Sequence, residues 1–322
     1  MTARRHHYIP QCYLKGFAVS RKRGKAQVYV FDREQRKMFV TATDNVGLER
    51  DFNRIETEGQ KPDALENKLS GFESALTTAL ERTNAAGTFQ SDEDRATILN
   101  FIGLVALRNP RRREGIRDFH EQIMKRMMDV ALATKERWEG QVRQMKKAGV
   151  FKADEVISYE QLKAFHDAGD YKIALNTEYQ ILMEMKGFDA VLPTLFKRGW
   201  MFMRAPTDSG GFVTSDDPVN LMWSDPDERG KVHGPGFGLP GTQIIFPIST
   251  KLAVAGAFEL KSETREVSED MVAGFNGGIA TMAIRQMYAR DLHFRYKVEA
   301  KGEARKASRL IDDPHFRRSD DD

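Results

Sequence analysis

The chain has 322 residues, 40% hydrophobic and 30% charged, with a formal net charge of only +3; it holds enough apolar material for one large domain or two ordinary ones. No run reaches the ~18–20 apolar residues of a spanning helix, since the longest, Ile98 to Leu107, is broken by Asn100 and Gly103, so no membrane partner is expected. One cysteine, Cys12, excludes an intrachain disulfide framework and a cysteine-based zinc site and points to a reducing, cytoplasmic interior, while seven histidines leave a His/carboxylate metal site open.

The first stretch, Arg4-Arg5-His6-His7-Tyr8-Ile9-Pro10-Gln11-Cys12-Tyr13-Leu14-Lys15-Gly16-Phe17, concentrates hydrogen-bonding and stacking groups to a degree unusual for a terminus. Arg4 to His7 would interrupt the apolar core of a cleavable leader, so none is expected. Residues 1–25 carry Arg4, Arg5, Lys15, Arg21, Lys22, Arg23 and Lys25 without one Asp or Glu. Such a block suits phosphate; a solvated face is the plainer reading. Lys22 to Lys25 reads as a turn, and 27–32 and 37–41 as the arms of a β-hairpin. Residues 43–60 look irregular, with Asp51-Phe52 in their middle.

Pro62 suits the first position of a helix. Leu65, Leu69, Phe72, Leu76 and Leu80 then recur at helical spacing, and Glu66 and Glu73 fall roughly on one face. Ser91 heads a capping box for a helix that is apolar over much of its circumference and therefore belongs in a core. Arg108 stands at its C-terminal end, where the helix dipole favours a cation, with Pro110 just beyond. One long helix is expected over 111–147, with Ile116, Phe119, Ile123, Met127 and Val130 among its apolar positions. Ser158 heads another capping box, and 171–196 is helical again. Strands follow at 199–204, 210–219, 243–248 and 252–258, and Ser268 caps a closing helix to about Tyr288. Residues 295–318 are basic and poorly patterned, and Asp320 to Asp322 form an acidic tip.

These residues carry a family likeness. His6-His7-Tyr8-Ile9-Pro10-Gln11 with Leu14 and Phe17, the step Asp51-Phe52, Phe72-Glu73, Arg108-Asn109-Pro110, Trp200, Thr214-Ser215-Asp216 with Pro218, and Phe246 to Ser249 together resemble the DUF4238 family. The likeness spans roughly residues 6–288; the first motif and the Thr-Ser-Asp turn are its specific parts. Phe52 stands where the family often has Tyr, so no phenolic hydroxyl acts there. The resemblance supplies kin and no assigned activity.

No phosphate-binding Gly-x-x-x-x-Gly-Lys, no Gly-x-Gly-x-x-Gly in strand–turn–helix context, no His-Glu-x-x-His and no Gly-x-Ser-x-Gly is present. Gly234 to Gly238 is a plain loop, and Cys12 lacks the surroundings of a nucleophile. The remaining constellation is His6, His7, Glu73, Arg108, Ser215, Asp216 and Asp217. Phosphodiester chemistry needs a base or metal to make hydroxide, a cation for developing charge, and phosphate-binding donors. His7, Glu73, Arg108 and Asp216 are the candidate catalytic residues; His6, His7, Asp216 and Asp217 the candidate ligands for Mg²⁺ or Mn²⁺; Arg4, Arg5, Lys15 and Arg21 the candidate contacts to RNA or DNA. Against these stand structural readings: a turn whose short oxygens bond main-chain N–H groups, histidines that satisfy a core, and a buried Glu73–Arg108 ion pair.

The expected fold is α+β, with a helical block packed on an antiparallel sheet that joins the N-terminal hairpin to the C-terminal strands. It forms one domain over 1–292 with a helical insertion at about 111–196, and a poorly ordered tail over 293–322. The expected function is a nucleic-acid-directed hydrolase, in its sharpest form a metal-dependent nuclease. The alternative is a non-catalytic nucleic-acid-binding or protein-interaction module.

Overall fold

The computed structural model describes residues 5–20, 25–55, 61, 64–152, 154, 158–225, 227, 233–299 and 301–316. Its elements are β1 (Arg5–His7), α1 (Gln11–Leu14), β2 (Val19–Ser20), β3 (Ala26–Asp32), β4 (Lys37–Ala42), β5 (Leu48–Arg50), α2 (Ala64–Ala86), α3 (Asp92–Leu107), α4 (Pro110–Ala131), α5 (Lys135–Lys147), α6 (Tyr159–Ala168) and α7 (Thr177–Phe196). There follow β6 (Gly199–Arg204), β7 (Thr214–Ser215), β8 (Asn220–Trp223), β9 (Thr242–Pro247), β10 (Leu252–Ala257), β11 (Glu263–Glu266), α8 (Glu269–Met282), β12 (Gln286–Ala289), β13 (Arg295–Tyr296) and β14 (Arg305–Lys306). The fold is α+β. The chain divides into two compact units: Met1–Asn109 with Ile181–Asp322, and Pro110–Gln180. The second is a narrower span than the insertion expected at 111–196.

In the first unit, two-residue alternation places strands between two cores. Ile244 and Phe246 of β9 enter one, with Val28 and Val30 of β3, Trp200 and Phe202 of β6, and Leu76, Leu80 and the apolar residues of α2 and α3. Ile245 enters the other, with Phe31, Met203, Ala253 and Ala255, beneath Val272, Phe275 and Ile279 of α8. Gly256 has no side chain because the ring of Trp200 passes over it; a Cβ there would sit 2.7 Å from the indole. Fully burying each large apolar side chain contributes about 1.5–3 kcal/mol.

The described strands form two five-stranded sheets and two two-stranded ribbons, β1–β5 and β13–β14, where one sheet was expected. Among the described residues, one sheet runs β11-β6-β10-β9-β8 and the other β2-β3-β12-β7, with β4 beside β3. The hairpin β3–β4 does meet C-terminal strands, through β12: Met287 pairs with Phe31 and also with Ser215. That strand lies where the closing helix was expected to continue. The helix stops at Met282 because the next N–H groups are taken by a side chain from elsewhere: Asp216 accepts from the main chain of Ile284, Arg285 and Gln286 at 2.8, 2.8 and 2.7 Å.

Three caps read from the sequence form. Ser91, Ser158 and Ser268 each accept an N–H three residues on, at 3.0, 3.2 and 3.2 Å. The single helix expected over 111–147 is two, since Thr134 accepts from Arg137 N–H and starts α5 afresh. The helix expected from 171 begins at Thr177, after Gly169 ends α6 in the left-handed region at φ 70°. Residues 293–316 depart from the expected poorly ordered tail: Tyr296, Ala307, Leu310 and Phe316 enter the core under α8, and β13 pairs with β14. Arg4, Arg21, the turn at Lys22 to Gly24, Pro62 and the acidic tip lie outside the described residues.

Candidate active site

The N-terminal motif is held in place from both ends. β1 pairs antiparallel with β5 in the register Arg5↔Arg50, His6↔Glu49, His7↔Leu48. The N–H groups of Tyr8 and Ile9 then donate to Gly47 O at 2.9 and 3.1 Å. Gly47 sits at φ +62°, and a Cβ there would lie 2.8 Å from Ile9 Cβ, so only glycine fits. Pro10 precedes the single turn of α1. Tyr13 is fully buried; its hydroxyl donates to Pro247 O at 2.8 Å and shares a 2.7 Å bond with Thr214 Oγ1. Its ring stacks on Phe246 and meets Phe101 edge-on. One phenol thus ties the start of the chain to the Thr-Ser-Asp turn and to the Phe-Pro strand.

Strand alternation separates the two imidazoles. His6 points inward, 2% exposed, and its Nδ1 accepts the main-chain N–H of Asn53 at 2.9 Å. His7 shares the other face of the ribbon with Arg5, and Arg50 stands directly opposite Arg5. Both arginines are exposed. Like charges across a strand pair cost stability, and the Asp51 carboxylate, 3.5 Å from Arg50 Nε, offsets part of that cost. His7 is half-buried, and Gln11 Nε2 donates to its Nε2 at 3.4 Å. Burial lowers the His7 pKa below its ordinary 6.5, opposed by the charge of Glu66. The neutral ring is the form held at neutral pH.

Glu66 and Glu73 lie two turns apart on α2. Glu66 Oε1 accepts from Asn53 Nδ2. Burial and the neighbouring Glu66 raise the Glu73 carboxyl above its ordinary 4.5, with Arg108 and Lys15 pulling the other way. One turn on, Thr77 hydrogen-bonds the Cys12 thiol, which burial pushes up; a poorly ionised thiol is a poor nucleophile. Beyond it opens a cavity of about 270 Å³ lined by Cys12, Lys15, Thr77, Glu81, Asn84 and Ser249 among others. Ser249 donates to Asn84 Oδ1, closing the far wall.

The remaining candidates are engaged within the fold and do not line this cavity. Asp216 is 3% exposed, and its carboxylate caps three main-chain N–H groups. Burial raises it to about 6 against that bonding. It serves as an anchor for residues 284–286, and both its oxygens are engaged in that role. Asp217, also buried, accepts from Asn109 Nδ2 at 3.3 Å, and its N–H donates to Ser215 Oγ at 3.2 Å. With His6 turned inward and His7 facing out, the expected metal set is dispersed; no group of three or more His, Cys, Asp or Glu suited to an ion forms among the described residues. Arg108 is 3% exposed, donates to Asn53 Oδ1 at 2.8 Å and has its Nε 3.9 Å from buried Glu184. Glu184 is thus an ion partner of Arg108, and the same guanidinium acts on the Glu73 carboxyl through its charge. Arg5 and Lys15 are exposed, as contacts to a polyanion must be.

Asn53, Glu184 and Arg50 were missed by the sequence reading. Asn53 and Glu184 carry no pattern that distinguishes them from other polar residues, and Arg50 matters only through its cross-strand position. The family motifs nevertheless converge: the first meets Asp51-Phe52 through Tyr8 and Phe52, whose rings lie 5.6 Å apart, and Asn53 carries the contact on to Arg108.

A family model described as a protein of unknown function, DUF4238, matches residues 5–293. The chain belongs to that family. No curated protein and no solved structure matches this DUF4238 chain. No helix among its described residues is long and apolar enough to cross a membrane.

Proposed function

We propose that this DUF4238 protein is a nucleic-acid-directed hydrolase that cleaves phosphodiesters by general acid–base chemistry, acting in the cytoplasm. The observation that carries the reading is an imidazole, His7, held below its ordinary pKa, and a carboxyl, Glu73, held above its own, both under the field of Glu66, with Arg5 acting on the first and Lys15 on the second. His7 Nε2 takes the proton of the attacking hydroxyl. Glu73 gives its proton to the leaving oxygen. The exposed arginines and Lys15 hold the non-bridging phosphate oxygens, and the cavity beside Lys15 receives one nucleotide unit. Positioned acid–base groups of this kind contribute about 10²–10⁴-fold each.

The test is incubation with single-stranded and duplex RNA and DNA, with Mg²⁺, with Mn²⁺ and with a chelator. Cleavage that survives the chelator and falls at least about 10²-fold in His7→Ala and in Glu73→Gln supports the reading. The base needs His7 above its lowered pKa and the acid needs Glu73 below its raised one. The profile of kcat/KM is therefore a bell, its acidic limb set by His7 and its basic limb by Glu73. Intact substrates under every condition, with retention on nucleic acid that weakens as salt rises, would make the protein a binding module instead.

A further inference from the structure

The helical unit Pro110–Gln180 carries a feature that the cleft does not use. On α4, Ile116, Phe119, Ile123, Met127 and Val130 recur at intervals of three, four, four and three. At 3.6 residues per turn they fall within roughly 40° of one line along the helix. Four of them face solvent: Phe119 is 60% exposed, Ile123 38%, Met127 56% and Val130 58%. Other positions of the helix are committed within its own unit. His120 bonds Tyr179, Lys125 lies over the ring of Tyr171, Asp129 pairs with His166, and Met128 packs on Ala131, Leu132 and Trp138.

The order of the spacing says what fits the stripe. Three-four-four-three reads the same in both directions about Ile123. Turned end for end, the stripe meets its own image: Ile116 opposite Val130, Phe119 opposite Met127, Ile123 opposite Ile123. A self-complementary patch of this kind is what a two-fold interface requires, and each interval of three or four keeps the next side chain on the same face. Large side chains carry on the order of 150–200 Å² each, so the exposed fractions leave roughly 400 Å² of apolar surface per copy, a patch size that marks interaction sites. Two such stripes supply roughly 800 Å² of the roughly 1,000 Å² that a specific interface needs, and the stems of the charged residues flanking them supply the rest.

We propose that the protein is a homodimer in which α4 packs antiparallel on α4 of a second copy, centred on Ile123. Sedimentation equilibrium at micromolar concentration tests the state. The wild type is expected as a dimer, and Phe119→Glu and Met127→Glu as monomers with unchanged circular dichroism. Oxidative cross-linking in a Cys12→Ser background tests the register. Ile123→Cys is expected to link to itself. Phe119→Cys, whose two copies lie about 12 Å apart along the helix axis, is expected to link to Met127→Cys when the two proteins are mixed and not to itself. A wild-type monomer at all concentrations overturns the proposal, as do Phe119→Cys self-links, which mean parallel helices. Stripe-dependent sedimentation of a monomer with anionic phospholipid vesicles overturns it in favour of a lipid surface.

Discussion

Asp216 shows how fully the main chain can engage a carboxylate that stands in a specific motif. Its two oxygens hold the N–H groups of Ile284, Arg285 and Gln286, and its own N–H donates to Gln286 O at 2.9 Å. Asp216→Ala leaves those buried donors without their acceptor and is expected to cost about 3 kcal/mol in denaturant unfolding. The sign of the pH dependence follows from its raised value. With a folded pKa of about 6 above the ordinary 3.8, the folded protein binds this proton more tightly than the unfolded chain. Stability from this group is fullest below about pH 4 and is lost as pH rises through about 6. The gap in stability between wild type and Asp216→Ala is therefore expected to narrow from pH 4 to pH 7. A gap that widens over that range would contradict the assignment.

At the scale of elements, the β1–β5 ribbon and α3 make contrasting predictions. Arg50→Glu converts a like-charge cross-strand pair into an attractive one while giving up the exposed Arg50–Asp51 ion pair, which is worth little. The melting temperature is expected to hold or rise while nucleic-acid affinity at low salt falls, with the salt slope reduced by about one. A residue that served only the ribbon's stability would not move affinity in the opposite direction. Ser91→Ala removes the α3 cap and is expected to cost about 1 kcal/mol in denaturant unfolding with nucleic-acid affinity unchanged. α3 is central to packing because Ile98, Leu99, Phe101, Ile102 and Val105 are buried between α2 and the strands.

At the scale of the molecule, the two units differ in how much they bury. The first is built around two extensive cores. Pro110–Gln180 is built around Ala131, Leu132 and Trp138 with a few half-buried neighbours. Regions with few buried apolar contacts open at lower free energy. Native-state hydrogen exchange is expected to show α5 and α6 losing protection well before α3, and limited proteolysis to cut first within 110–180. Equal protection across both units would mean that they unfold as one.

The sequence by itself determined the elements that local chemistry dictates. Ser91, Ser158 and Ser268 start helices because a short oxygen satisfies an N–H three residues on, a bond that needs no tertiary partner. Apolar spacing marked α2, α3 and most strands for the same reason: each residue's face follows from its position alone. The stripe of α4 was legible too, though its exposure was not. What only the tertiary structure decided is which polar groups are already occupied. Asp216 reads as a candidate ligand until residues 284–286 arrive to fill it, and Arg108 as a catalytic cation until Asn53 and Glu184 enclose it. His6 and His7 are adjacent in sequence, yet pairing with β5 sends one inward and the other to the arginine face. Hydrogen-bond capacity is a property of the folded surroundings, and no spacing in the chain records who will spend it.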